Sequence, residues 1–207
     1  MKREIAAILT FCSLLLVMTG CGNRVHYTVA PQFRQSVVDT IAVVPVGGDV
    51  GSVGGRRLLR EVVNEALTRS GYSTLQAEVV DKRLSSLAAR VKDVSDGASR
   101  GEIIKALDAD GVLFITVTKW DASLLLYYAS IDIGARFELY SRSGKRMWTA
   151  EYNLGESDLN ADSDYLKVAV HDTYEPMVVN LVERVMATLP LRPRVSSKRK
   201  GLYDWLP

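Results

Sequence analysis

The sequence predicts an α/β fold, a mixed β-sheet packed with helices as an α/β sandwich, in a single domain over residues 40–189. Three observations carry that expectation. Thr40–Val46 and Val112–Thr118 are short, β-branched apolar runs, the pattern of strands buried on both faces. Amphipathic helical stripes lie between and after them, the first placing Leu58, Leu59, Val62, Val63, Ala66 and Leu67 on one face. Ile131–Leu154 alternates apolar and polar residues around a glycine turn, as a hairpin with one wet side does.

The strand Thr40–Val46 finishes at Pro45, because proline cannot donate to a central ladder. Gly47–Gly55 is a glycine-rich connection. Arg56–Ser70 reads as a helix with Arg60, Glu61, Asn64 and Glu65 pointing away from the core and Gly71 at its C-cap. Tyr72–Ala77 reads as a second strand and Val79–Val91 as a helix burying Leu84, Leu87, Ala88 and Val91. Ser99, with Glu102 three residues on, has capping-box spacing and starts a helix over Arg100–Leu107. The hairpin places Ile131, Ile133, Ala135, Phe137 and Leu139 on one face, and Asp132, Arg136, Glu138 and Tyr140 on the other. Trp148, Ala150, Tyr152 and Leu154 share the apolar face of its return strand. A last helix spans about Ser163–Leu189, kinked or broken before Pro176, with Val178, Leu181, Val182, Val185, Met186 and Leu189 as its core stripe.

The N-terminus reads as a processing signal. Lys2 and Arg3 precede the apolar stretch Ile5–Met18. That stretch is shorter than the ~20 residues needed to cross a bilayer and has the length of a signal-peptide core. Val17-Met18-Thr19-Gly20-Cys21 resembles the lipobox of bacterial lipoproteins. The resemblance implies cleavage between Gly20 and Cys21, removal of residues 1–20, and acylation of Cys21 on its thiol and new amine, palmitate being among such chains. Several chains hold a protein firmly, at ~0.8 kcal/mol per buried CH₂. Gly22, where a retention signal would place Asp, implies delivery to the outer membrane and anchorage on its periplasmic face.

Residues 21–39, polar and interrupted by Pro31, read as a lipidated tether that lifts the domain off the membrane. Residues 190–207 form a basic, aromatic tail. Its Arg199, Lys200, Tyr203 and Trp205 are candidate contacts to an anionic membrane surface or to a groove on a partner, the alternative being a solvated tail.

Composition narrows the chemistry. A net charge of +2 over 207 residues gives no bulk electrostatic reason to invoke nucleic acid. The hydrophobic fraction of 47% suits an ordinary packed core. The two cysteines, Cys12 and Cys21, leave the mature chain without a disulfide, a thiol nucleophile or a cysteine metal ligand. Gly47–Gly55 follows a strand and opens a helix, as a phosphate cradle does. It lacks the Gly-Lys-Ser/Thr ending, however, and carries Asp49 where a phosphate would sit, so a plain connection is the better reading. His26 falls in the tether; His171, near Asp164, Asp172 and Glu175, has no His or Cys companion and reads as a surface residue. Asp158, Asp162 and Asp164 lack the glycine and terminal Glu of a calcium loop. No catalytic residue, metal or cofactor is assigned.

The Ile41-Ala-Val-Val-Pro45 strand, the glycine-rich loop, the Ser70-Gly-Tyr72 helix end, and Ala109-Asp-Gly-Val-Leu-Phe114 ahead of Lys119-Trp-Asp121 together resemble a group of Gram-negative lipoproteins. The group includes CsgG, LpoB and the amino-terminal domain of TolB, and the nearest likeness is to a lipoprotein family of the neisserial surface-antigen type. Over roughly residues 39–185 the resemblance implies a TolB N-domain-like sandwich, an envelope role through protein contacts, homo-oligomers and no catalysis. The expected function is a non-enzymatic scaffold or accessory subunit of an envelope assembly or transport complex, with envelope proteins as partners. Two alternatives stand beside it: a nucleotide- or phospho-ligand-acting enzyme using Gly47–Gly55, and a CsgG-like secretion pore. The pore is disfavoured because the sequence shows one convincing hairpin, whose wet face carries Asp132, Arg136, Glu138 and Glu151.

Overall fold

A computed structural model describes residues 24–36, 38–48, 53–85, 87, 97–125, 128–159 and 163–192. Their elements are β1 (His26–Val29), a 3₁₀ turn (Pro31–Gln35), β2 (Thr40–Val43), β3 (Gly47–Gly48), α1 (Val53–Arg69), β4 (Ser73–Thr74), α2 (Ala77–Ser85), α3 (Gly97–Leu107), β5 (Gly111–Leu125), β6 (Tyr128–Ser141), β7 (Arg146–Leu159) and α4 (Ser163–Met186). The sheet order is β1-β7-β6-β5-β2-β4, with β3 beside β5. β2 runs parallel to β4 and β5. The pairs β5–β6, β6–β7 and β7–β1 are antiparallel. The mixed α/β class expected from the sequence is the class observed.

The helices cover the sheet on two faces. The chain leaves β2 through α1 to β4, then returns through α2 and α3 to β5 on the other side of β2. The apolar stripes of α1 (Leu59, Val63, Leu67) and α4 (Val178, Leu181, Val182, Val185) join Ile41, Val43, Leu113, Ile115, Ile133, Phe137 and Trp148 in the main core. The opposite face is smaller: Val80 of α2 and Ile103, Ile104 and Leu107 of α3 cover Ala42, Val44, Val112 and Phe114. Consecutive residues of β2 therefore feed opposite cores, which is why its sequence is apolar without alternation.

Motifs behind the resemblance have local physical reasons. Gly71 has φ +90° and follows α1, and the Tyr72 N–H donates to Leu67 O at 3.1 Å, a Schellman closure that only a left-handed residue permits. Asp110 accepts the backbone N–H groups of Asp39 (3.3 Å) and Thr40 (3.1 Å), holding the start of β2 against β5. A Cβ at Gly111 would stand 3.1 Å from side-chain carbons of both Leu139 and Val38.

Several elements differ from the sequence reading. Residues 24–39 are not an irregular tether: β1 pairs with β7 from His26↔Glu151 to Val29↔Trp148, and Phe33 and Val38 are buried. His26 is thus a strand residue. Tyr72–Ala77 contributes only the two-residue β4, because Tyr72 is buried by the α1 closure instead. α3 begins at Gly97, two residues ahead of Ser99, so the helix starts earlier than the capping-box spacing placed it. The described part of the following helix region is α2, Ala77–Ser85. Arg60, expected in solvent, lies under the sheet end and donates to Val43 O at 2.9 and 3.1 Å. α4 runs through Pro176 as one helix. The largest difference concerns β5 and β6, which extend to Leu125 and back from Tyr128, well beyond the expected Thr118 and Ile131.

Candidate functional site

The face of β5–β6–β7 opposite α1 and α4 is where the fold presents polar chemistry. Alternation along β6 forces it: Ile133, Ala135, Phe137 and Leu139 enter the main core, so Asp132, Arg136 and Glu138 take the other side. Each meets a partner across the ladder. Lys119 binds Asp132 at 2.9 Å and Arg136 binds Glu151 at 2.9 Å. The hydrogen bond to Glu151 holds the Arg136 guanidinium above its ordinary pKa. A Cβ at Gly155 would lie 2.4 Å from Asp132 Oδ1, and one at Gly134 2.0 Å from Asn153 Oδ1, so the glycines make room for polar side chains to lie flat on the sheet.

Glu138 is the buried charged residue of this face, 7% exposed. Arg100 of α3 reaches it at 2.9 Å and Arg146 of β7 at 3.4 Å, while the Tyr140 hydroxyl donates to it at 3.2 Å. The Arg100 guanidinium also lies 5.4 Å from the Phe114 ring centroid and 5.6 Å from that of Tyr140. A carboxylate saturated in this way by neighbouring side chains locks α3 onto the sheet.

The glycine-rich loop starts inside the sheet. Gly47 and Gly48 pair with Thr116 and Val117 of β5, and the Gly48 carbonyl accepts from Arg56 at 3.4 Å. Gly48 has φ +90°, and a Cβ there would fall 2.2 Å from Val117 O. These glycines allow a close backbone approach, and Arg60 closes the end of β2 beside them. Residues 49–52 lie outside the described residues.

The remaining candidates divide plainly. Gly20, Cys21, Arg199, Lys200, Tyr203 and Trp205 all lie outside the described residues. The head of the tail is described and held: the Tyr72 hydroxyl donates to Pro190 O at 2.6 Å, and Arg192 binds Asp39 at 2.7 Å. Next to it, Tyr27, Val29 and Pro31 face Thr188, Leu189 and Leu191 across a shallow groove; Tyr27 (57%) and Leu191 (75%) are its exposed apolar residues. Among the described residues β1 has a strand partner on one side only, which leaves its other edge open there. His171 falls on α4 and Asp158 on β7. Sequence reading missed β1 and the arm formed by Lys119–Leu125 and Tyr128–Ser130. The signal for the arm was the run Ser123–Ser130, apolar around its centre and free of the glycine, proline or asparagine that usually announces a hairpin turn.

No family model matches the chain. It is similar to a protein named "Putative lipoprotein" in Neisseria meningitidis serogroup B, 24% identical over 153 residues that cover 73% of this chain and 71% of that protein. Among solved structures, it is similar to a lipoprotein of Neisseria meningitidis (23% identity, TM-score 0.49, 67% of this chain and 96% of that one). It is also similar to the PelC dodecamer of Paraburkholderia phytofirmans (14%, TM-score 0.47, 80% and 99%). The C-terminal domain of LpoB from Escherichia coli is a further likeness (12%, TM-score 0.41, 60% and 93%). The resemblance to neisserial lipoproteins read from the sequence is therefore found in the comparisons too.

Proposed function

We propose that this chain is a lipid-anchored protein of the Gram-negative envelope, acylated at Cys21 and held on the periplasmic face of the outer membrane. There it serves as a non-enzymatic scaffold or accessory subunit of an envelope assembly. The observation that carries the reading is the lipobox-like Val17–Cys21, placed directly ahead of a domain whose sheet begins at His26. The similarity to a neisserial protein named as a lipoprotein supports it. So does the ionic chemistry of the open face, where Lys119, Arg136 and Glu138 are each engaged by a neighbouring side chain. The contact surfaces offered to other envelope proteins, or to further copies of the chain, are the open edge of β1 and the groove beside Tyr27 and Leu191.

Metabolic labelling with a palmitate analogue tests the anchor. The wild-type chain takes label and fractionates with the outer membrane, while Cys21→Ala takes none and keeps its signal. Label on Cys21→Ala, or cleavage at another position, would overturn the assignment. In-cell crosslinking from Tyr27 then tests the partner role; recovery of the lone monomer across growth conditions would count against it.

A further inference from the structure

The outer edge of β1 is unguarded. Ala30 N–H donates to Met147 O at 2.8 Å, so the alternate residues Thr28 and His26 also turn their backbone groups toward β7. Tyr27 and Val29 therefore point their N–H and C=O groups outward, where among the described residues nothing meets them. Natural sheet edges are blunted by lysine, proline, other charges or a bulge. Val25–Ala30 has no Lys, Asp, Glu or Pro, and its register with β7 runs unbroken from His26 to Val29.

This edge adjoins an apolar groove. Tyr27, Val29 and Pro31 form one wall and Thr188, Leu189 and Leu191 the other, around a volume of about 460 Å³. Tyr27 stands opposite Ala150 and Val29 opposite Trp148, both members of the main core, so their side chains share the face that carries α4. A strand added beside β1 would lay every second side chain over the groove.

The chain carries a segment of matching length and pattern. Leu202-Tyr-Asp-Trp-Leu206 has strand-favouring aromatics at alternate positions and one charge, between Gly201 and Pro207. With Tyr203 and Trp205 toward the groove, Asp204 falls on the polar side of the sheet with His26 and Thr28. The root of the segment is held beside the Val29 end of the edge, by Tyr72 on Pro190 O and by Arg192 on Asp39. From Arg192 to Leu202 the chain reaches up to about 35 Å, whereas the edge from Val29 to Val25 is about 13 Å long. The polar spacer, with Arg194, Lys198, Arg199 and Lys200, suits the solvated turn that lays the segment antiparallel to β1. So short a tether sets an effective concentration of about millimolar, which favours the edge of the same chain over that of a second copy.

We propose that Leu202–Leu206, which lies outside the described residues, docks on the edge of β1 in its own chain as an added antiparallel strand, with Tyr203 and Trp205 over the groove beside Tyr27 and Leu191. This docking is independent of acylation at Cys21, and a partner using the same edge has to displace it.

The full-length chain in detergent micelles, and again in phosphatidylglycerol vesicles, provides the test. A benzophenone side chain in place of Tyr27 should give an intrachain product with residues 202–206, and one in place of Lys105 on α3 should give none. Mixing unlabelled and nitrogen-15 chains should leave each product with a single label. Equal capture from both positions means a solvated tail, mixed-label products mean a second copy, and loss of the product on vesicles means a membrane contact; each overturns the docking and leaves the lipid anchor untouched. Residue-resolved hydrogen exchange supplies a second readout. The Tyr27 and Val29 amides should exchange at least tenfold faster in the double variant Tyr203→Ser with Trp205→Ser than in the wild type, while the Thr28 amide, bonded within the sheet, stays unchanged and reports an intact fold. Equal exchange at Tyr27 and Val29 in the two chains overturns the proposal.

Discussion

Glu138 shows how a single residue decides the packing of an element. Two arginines and a tyrosine hydroxyl converge on a carboxylate that is almost fully buried. Removing one member of such a group leaves the others desolvated and unpaired, at a cost of about 3 kcal/mol. Glu138→Ala should therefore lower the urea midpoint strongly. The double replacement Arg100→Met with Glu138→Leu should cost less than the sum of the two single changes, which a double-mutant cycle reads directly. Tyr72 makes a different statement. Burial pushes its hydroxyl up to about 12, with the charge of Arg192 acting the other way. The folded chain keeps that proton where the unfolded chain, with an ordinary pKa near 10, has lost it. The stability this contributes is complete below about pH 10 and is lost as pH rises toward 12, about 2–3 kcal/mol in all at roughly 1.4 kcal/mol per unit. Urea titrations at pH 9 and pH 11.5 should show the loss in the wild type and a much flatter response in Tyr72→Phe.

At the scale of elements, the glycines separate backbone necessity from mere tolerance. Gly48 combines φ +90° with Val117 O 2.2 Å from where a Cβ would stand, whereas Gly144 has φ +79° and open space around it. Gly144→Ala should cost about 1 kcal/mol, the penalty of a left-handed residue alone. Gly48→Ala should cost visibly more, since β3 must also part from β5. Gly54, inside α1 with nothing within 4 Å, should become more stable as Ala by roughly 0.5–1 kcal/mol. Thermal melts of the three variants would rank them. The elements legible in the sequence were those where burial wrote a strong period: β2, α1, the hairpin face through Phe137 and Trp148, and the Val178–Leu189 stripe. The illegible ones had other causes. Arg60 sits among polar neighbours on α1, and the bare carbonyl of Val43 together with Asp81 of α2, both placed by the tertiary fold, draw it inward. β1 is four residues long and mostly exposed, so it carries little periodic signal. The register shift between Val117 and Lys119 breaks the alternation of β5 where the arm begins, which hides the strand's continuation. Of the candidate contacts, Cys21 was legible by motif; the open edge of β1 required the sheet order.

For the whole molecule, the place where the folded domain begins sets how far from the sheet the proposed anchor at Cys21 would stand. With residues 21–39 as a loose tether, everything before Thr40 could be removed without consequence. The structure ties this segment down: Tyr27 and Val29 lie along β7 opposite Ala150 and Trp148, Ala30 N–H donates to Met147 O at 2.8 Å, and Phe33 and Val38 enter the main core. A chain beginning at Arg24 should keep the stability of the mature protein. A chain beginning at Pro31 loses β1, uncovers the edge of β7 beside Trp148, and should lose several kcal/mol. In a domain of this size each kcal/mol moves the melting temperature by about 2–4 °C, so the two truncations should differ by roughly 10 °C. The freed edge should also promote association, since an unpaired strand next to apolar side chains is a template for pairing. Calorimetry with light scattering on the two truncations decides the matter. Equal melting temperatures and no added scattering would show that the segment contributes only reach. A large difference would show that β1 belongs to the folded domain, so that the proposed anchor at Cys21 would stand within about 17 Å of the sheet.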